Sequence, residues 1–515
     1  QPQLFGHPIG LYVLFFTELW ERFSYYGMRA LLVLYLVEEI SSDNPGLGWT
    51  ASEAGSLYGW YTMLVYITPI IGGIIADKLL GYRKAITTGA ILMSLGHFAL
   101  AFNPMPAFYL GLFLLIIGNG MFKPNISSIV GQLYPDGSTK KDSGYTIFYQ
   151  GINVGAFLGS ILCGYLAENM GWHYGFGLAG IFMVIGMIQF QLAQKMFGKI
   201  GLPPKNGNLE DNNDVLDSLD EVKNQPLTKV ESQRLVVVAI LAFFSIFFWA
   251  AFEQAGSSMN IFASKYTDRS LDDAMIFKVI SSIISLSPLA ILIWLFVGVS
   301  AKLGKAYRAA MSFMGLSIVI LAGILGFMIY DQFKAENLEV PATWFQSLNA
   351  LFIFTLAPLF SFIWQTLAKT KLNPNGPQKF AIGLILLGLG FIPLVYGAAG
   401  FVGEDMGDVQ KVSMIFLVLA YLLHTMGELS LSPVGLSYVS KLSPKRLVGL
   451  MFGIWFFASA MGNKIAGSFS GYMEKIAEES SMSDFFQILV YIPIVAGIVL
   501  FILSFPLKKL MHGIH

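Results

Sequence analysis

Long apolar runs alternate along the chain with short polar gaps, and each run reaches about 20 residues, the length a helix needs to cross a hydrocarbon layer. On that pattern membrane helices are predicted near 11–38, 52–77, 85–102, 107–133, 143–167, 174–194, 235–263, 274–299, 309–330, 343–367, 380–397, 411–438, 447–471 and 485–506. That makes fourteen. The gaps "NPMP", "YPDGSTKKDSG" and "NPNGPQ" between them carry the Pro, Gly, Asn and Asp of turns. One gap is long and polar, 198–233, and it divides six helices from eight. The implied order is a six-helix N-terminal bundle over 1–197, a cytoplasmic linker over 198–233 and the first helix of a C-terminal bundle over 234–270. Two surplus helices over 271–335 and five further helices over 336–515 complete it.

Composition agrees with an all-α polytopic membrane protein. Of 515 residues 55% are hydrophobic and 12% charged, about half the charged share of a soluble domain, and the mean hydropathy is +0.63. The formal net charge is zero, which gives no basis for nucleic-acid binding. The one cysteine, Cys163, lies in an apolar run, where packing is its expected role. Lysines and arginines set the orientation: with the N-terminus inside, the inner loops hold 22 of them and the outer loops about five. Both termini and the linker are therefore expected on the cytoplasmic side, and the first residue, a glutamine, suggests a missing start residue.

Two halves of at least six helices around a linker resemble the major facilitator arrangement, with 12 core helices in two bundles plus two extra. The loop "GGIIADKLLGYRK" fits that plan: Gly72 and Gly73 permit close helix approach, and Asp77 is placed to cap a neighbouring helix.

Residues 18–29, "ELWERFSYYGMR", bring four charges into an apolar helix. At 100° per residue Glu18, Arg22, Tyr25, Tyr26 and Arg29 share about a 100° arc, with Glu21 about 60° beyond one end of the charged set. A face of this kind belongs against a cavity, where Glu18 and Arg22 can pair at i,i+4 and lower the cost of burial.

The stretch resembles the E-x-x-E-R-F-x-Y-Y-G signature of the proton-dependent oligopeptide transporters, carried here by Glu18, Glu21, Arg22, Phe23, Tyr25, Tyr26 and Gly27. "GNGMFKPNISS" at 118–128, "FYQGINVG" at 148–155, "FFWAAFEQ" at 247–254, "WFQSLN" at 344–349 and "GELSLSPVGLS" at 427–437 resemble that family's later signatures, in order and on the right helices. The resemblance implies a bacterial proton-coupled symporter that imports di- and tripeptides by alternating access. The chain is not expected to be an enzyme, since no Ser-His-Asp, Cys-His or metal constellation appears, and the resemblance implies no catalytic residues, no metal and no cofactor beyond the coupling proton. Its partners would be peptide and membrane lipid but no nucleic acid, and it would work in the plasma membrane as a monomer.

A peptide is a zwitterion, so a carrier of many peptides should hold the two ends and leave the middle loose. Arg22 and Lys123 suit the carboxylate, Glu428 the ammonium, and Asn153 and Asn349 offer amides. The resemblance assigns the same roles and adds Tyr26, Tyr66, Trp249 and Trp455 as cavity aromatics. It implies proton coupling through Glu18, Glu21, Arg22 and Lys123, and an outer gate in which Arg29 pairs with Glu253, the lone charge of its apolar segment. Lys464 has no assigned role; it would snorkel or pair with an acid. The chain departs from the family where animal members carry a histidine, which here is Gly59. The histidines in membrane segments, His97 and His424, fit no metal site and are expected to be structural. The surplus helices, 274–299 and 309–330, follow the seventh helix rather than filling the linker, and their low charge suits lipid-facing positions. A same-fold carrier of nitrate or other small anions and a non-transporting membrane sensor are the alternatives.

Overall fold

The structure, a computed structural model, describes residues 2–102, 104–135, 138–203, 226–272, 274–403 and 409–514. Among them fourteen helices of 15 residues or more follow one another. They are α1 Ile9–Val37, α2 Ala51–Ile75, α3 Tyr82–Leu100, α4 Met105–Gln132, α5 Lys141–Met170, α6 Trp172–Ala193 and α7 Lys229–Phe252, then α8 Met275–Lys302, α9 Arg308–Lys334, α10 Trp344–Leu367, α11 Gly376–Gly390, α12 Ile415–Leu442, α13 Val448–Ser470 and α14 Met482–Leu510. Twelve helical stretches are long and apolar enough to cross a membrane. The four charges of α1, and an α3 that opens on Arg83 and Lys84, leave those two outside the group.

The predicted span 235–263 is divided. α7 stops at Phe252, a 3-10 turn covers Glu253–Gly256, and a short helix runs over Ser258–Lys265. Gly256 and two serines follow the break, residues whose backbone freedom or hydroxyls compete with helix formation. α7 also starts earlier than its apolar run, because Thr228 and Glu231 close a reciprocal capping box at its N-terminus. Most of the predicted linker, 204–225, lies outside the described residues.

Contacts divide the chain into two compact units that do not follow sequence blocks. One comprises Gln1–Thr50, Thr68–Pro203 and Asn260–Leu351; the other comprises Ala51–Ile67, Pro204–Met259 and Phe352–His515. The first unit is built around α1, in which every residue except Tyr26 is buried. Small residues on α5 make this possible. A Cβ on Gly155 would stand 2.4 Å from the Leu19 carbonyl oxygen, one on Gly159 2.3 Å from that of Phe23, and one on Gly27 2.5 Å from Cys163 Sγ. Backbone therefore meets backbone, the packing that drives helix association where lipid removes the hydrophobic incentive. Cys163 fills the space beside Gly27 as a small apolar side chain.

The basic loop after α2 is latched within this unit; the helix that follows opens on Gly81 with no side-chain cap, and Asp77 lies near the Tyr82 hydroxyl. Arg83 donates to the Gly198 carbonyl oxygen at 2.7 Å. Ahead of α1, a two-stranded hairpin pairs β1 (Gln3–Leu4) with β2 (His7–Pro8) across Phe5 and Gly6, both at positive φ as a tight primed turn requires. His7 Nδ1 lies 2.7 Å from the Tyr134 hydroxyl, and burial followed by the Lys140 charge holds this imidazole below its ordinary range.

The surplus pair, α8 and α9, docks on the same unit. α9 packs along α6, the Tyr165 hydroxyl of α5 donates to Asp331 Oδ2 at 2.7 Å, and Trp294 of α8 stacks on Phe5 at 4.9 Å. Their outer faces are apolar and exposed at Ile276, Ile283, Val319 and Tyr330. The base of the insertion is tied off where β3 (Ser270–Leu271) pairs with β4 (Leu338–Glu339). Beside it, Glu168 at the end of α5 accepts from the Ala342 and Thr343 amides at 2.9 Å each and from the Thr343 hydroxyl at 2.8 Å. Arg269 joins Glu168 at 3.4 Å and Glu339 at 2.8 Å. A carboxylate at the mouth of α10 satisfies donors that the helix leaves unpaired and favours its positive end.

In the second unit α11 and α12 meet at Gly383 and Gly427, and α7 meets α13 where Gly462 faces Trp249. The first part of α2 crosses α13 at Gly55, Gly59 and Gly467. The crossing explains the missing histidine: a Cβ on Gly59 would lie 2.9 Å from the Lys464 carbonyl oxygen and 3.2 Å from Gly467 Cα. Gly59→His should therefore open this crossing and cost about 1–3 kcal/mol, the range for overpacking. Thermal unfolding in detergent checks this, and a midpoint equal to that of the unaltered protein would show that the crossing tolerates the ring.

Candidate functional site

The polar face predicted on α1 forms a buried ionic cluster in the first unit. Glu18 is 2% exposed, Glu21 0% and Arg22 2%. The Arg22 guanidinium grips Glu21 with two donors, Nε to Oε2 and Nη2 to Oε1, the latter at 2.6 Å. The same Nε lies 3.2 Å from Glu18 Oε1. One guanidinium thus serves two carboxylates on one helix, one neighbour away at i−1 and one turn away at i−4. The fork geometry of arginine matches a carboxylate in a way lysine could not. Glu18 Oε2 has no hydrogen-bond partner among the described residues. The Tyr25 ring centre stands 5.2 Å from the guanidinium carbon.

α4 supplies the rest. Asn119 Nδ2 donates to Glu21 Oε1 at 3.3 Å. Lys123 follows one turn later on the same face, half-buried, and its charge is felt at Glu18. Asn119 was missed in the sequence reading, although it stands in the quoted "GNGMFKPNISS" four residues before Lys123. That spacing was the available signal. On α5, Asn153 is half-buried and donates to the Tyr149 carbonyl oxygen at 3.4 Å. Tyr26 is half-buried, with the Arg29 guanidinium carbon 5.8 Å from its ring. Asn349 of α10 is half-buried in this unit, behind the Glu168 cap that fixes where the helix begins.

The second unit holds Tyr66, Trp249 and Glu428, each half-buried, and Glu253, which is 2% exposed. Trp249 makes edge contacts with Phe248 at 5.3 Å and Phe252 at 5.6 Å. The Tyr58 hydroxyl lies 3.4 Å from Glu253 Oε2, a partner that sequence reasoning passed over beside Gly59. Two expectations change here. Lys464 makes no ion pair among the described residues; its ammonium sits 4.4 Å over the Trp60 ring, a cation–π contact that neither snorkelling nor an acid partner anticipates. Trp455 is 5% exposed, edge-on to Phe380 at 6.1 Å and against Gly435, so it packs inside the unit. His424 likewise packs on Phe391 at 4.4 Å, and His97 is fully buried on α3.

Comparison with known proteins gives the arrangement its context. A family model described as the POT family matches residues 83–217 and 328–491. The chain is 36% identical to the transporter YclF of Bacillus subtilis, covering 100% of this chain and 97% of that one. It is 32% identical to a di-/tripeptide transporter of Lactococcus lactis subsp. cremoris, covering 99% and 98%. A solved peptide transporter POT in complex with sulfate superposes with a TM-score of 0.77 at 30% identity, over 100% of this chain and 98% of that one. With the signature residues assembled on α1 and matches of this extent, the chain belongs to the POT family.

Proposed function

We propose that this protein is a proton-coupled symporter importing di- and tripeptides by alternating access. It would act as a monomer in the bacterial inner membrane, with both termini cytoplasmic. The observation that carries the reading is the single guanidinium of Arg22 shared by two buried carboxylates. Such a group has a third candidate partner in the peptide carboxylate. Protonation of Glu18 or Glu21 would release Arg22 to the peptide; peptide departure would return Arg22 to the acids and expel the proton. Coupling is then competition for one cation, with Lys123 as a second positive charge near the same site. Glu428 of the second unit would hold the ammonium, Asn153 and Asn349 the backbone amides, and Tyr26, Tyr66 and Trp249 the variable side chains. Arg29 and Glu253 would form a pair that closes the outer mouth and weakens on protonation.

The reading is tested by uptake of labelled dialanine into proteoliposomes, where an inward proton gradient should drive accumulation that free alanine does not compete. Flux indifferent to the gradient, or equal competition by alanine, would remove it. Glu18→Gln and Glu21→Gln mimic the protonated acid. Each should lose gradient-driven accumulation and keep peptide-for-peptide exchange, which requires alternating access without net proton movement. Accumulation at the unaltered level in both variants would exclude these carboxylates from coupling.

Glu428→Gln should weaken binding of free dipeptides by about 1.5–3 kcal/mol, the range for a charge-assisted bond, and leave N-acetylated dipeptides nearly unchanged. Calorimetry on the two ligand sets measures the difference, and equal losses would assign the acid another task. For the gate, Arg29→Glu combined with Glu253→Arg should recover part of the transport that either change alone removes, because reversal preserves the attraction. A double variant no better than the worse single one would reject the pairing.

A further inference from the structure

A cavity of ≈ 590 Å³ lies within the second unit, between the ends of α10, α12 and α14 and the start of α11. Four lysines line it, Lys371, Lys379, Lys441 and Lys508, and no acidic residue does. None of the four makes an ion pair among the described residues. On α12 the lining residues Ser430, Val434, Tyr438 and Lys441 stand about 200–280° around the helix from Glu428, so the cavity opens on a different face from the proposed ammonium site.

Lys441 and Lys508 complement the negative ends of their own helices, which accounts for two of the four. Lys379 has no such reason. It lies in the first turn of α11, beside the positive end of that helix, half-buried with its ammonium 4.8 Å from the Trp364 ring. Cation and helix dipole repel there, and an anion in the cavity answers both. Other polar groups at that end are already engaged, since Asn375 accepts from the Gln378 amide and the Gly376 amide donates to the Tyr438 hydroxyl at 3.1 Å. The lysine ammonium groups are the charged donors facing the cavity, with the Tyr438 hydroxyl and the amides of Asn373 and Asn375 beside them as neutral ones.

Depth narrows the chemistry of the anion to a phosphate. The exposed apolar residues Ile498, Ile502 and Phe505 of α14 end one turn before Lys508, and Leu359 and Phe362 of α10 precede Trp364 in the same way. The cavity thus sits where an apolar wall gives way to a basic rim, the level of lipid phosphates. We propose that it binds a phosphate group, presented by an anionic lipid headgroup or free in solution, at a site separate from the peptide path.

The test is native mass spectrometry of the full-length protein in detergent, titrated with phosphatidylglycerol, with phosphatidylcholine of the same chains, and with inorganic phosphate as competitor. On the unaltered protein phosphatidylglycerol should bind at least about tenfold more tightly than phosphatidylcholine; equal binding overturns the proposal without any variant. Lys371→Gln, Lys441→Gln and Lys508→Gln together, all at exposed positions, should weaken phosphatidylglycerol about 100-fold, near fivefold per lysine. Removing the same number of charges elsewhere, as Lys199→Gln, Lys302→Gln and Lys305→Gln, should leave it within about threefold. Equal losses in the two triple variants would mean general surface charge and overturn the site. Phosphatidylglycerol retained in millimolar inorganic phosphate supports the site with lipid as its ligand; displacement supports it with free phosphate.

Discussion

Burying Glu18, Glu21 and Arg22 in a helix that crosses lipid is the constraint around which the first unit is organised. Each charge taken out of water costs several kcal/mol, and pairing in a low-dielectric interior returns that cost only when the geometry is good. The bidentate grip of Arg22 on Glu21, with Asn119 adding a donor, supplies that geometry. It sets two acids against one guanidinium, with the ammonium of Lys123 close by. A cluster of this kind is a poor way to add stability and a good way to make a helix sensitive to a proton or a second carboxylate.

The helix must then be held by something other than its charges. Small residues do this: Gly155 and Gly159 of α5 bring its backbone against that of α1, and Gly27 makes room for Cys163. The same device recurs between α3 and α4 at Gly89, Gly96, Gly111 and Gly118, and between α2 and α13 at Gly55, Gly59 and Gly467. Side-chain interdigitation tolerates small slips, whereas backbone contact at van der Waals distance does not. Close crossings of this type therefore hold charged groups at fixed distances, and a crossing either forms or opens as a whole.

A second anchor lies where α5 ends. Glu168 collects two amides and a hydroxyl at the mouth of α10 and an arginine from the base of the insertion. The carboxylate links three segments distant in sequence, and it fixes the helix that carries Asn349. The accessory pair adds a stack on Phe5 and a hydrogen bond to Tyr165 without placing a charged residue among the proposed peptide contacts.

Sequence alone determined the helices, because a bilayer demands about 20 apolar residues in a row and turns between them, a requirement written locally in the chain. It also marked Glu18, Glu21 and Arg22, since charges on one arc of an apolar helix have few explanations. What it could not show was which helix the charges would meet: Asn119 became a partner of Glu21 only when α4 was placed beside α1. Gly59 shows the same limit. In the sequence it is the absence of a histidine; in the structure it is a position where a carbonyl and a second glycine leave no room for a side chain. Tertiary structure likewise gave the surplus helices their place on the first unit, through Trp294, Asp331 and the strand pair at their base, because helix docking depends on surfaces from distant segments that no local pattern encodes. Lys464 over Trp60, and the lysines gathered around the mouth of α11, come from the same cause: a charge declares itself in the sequence, and its partner is chosen by the fold.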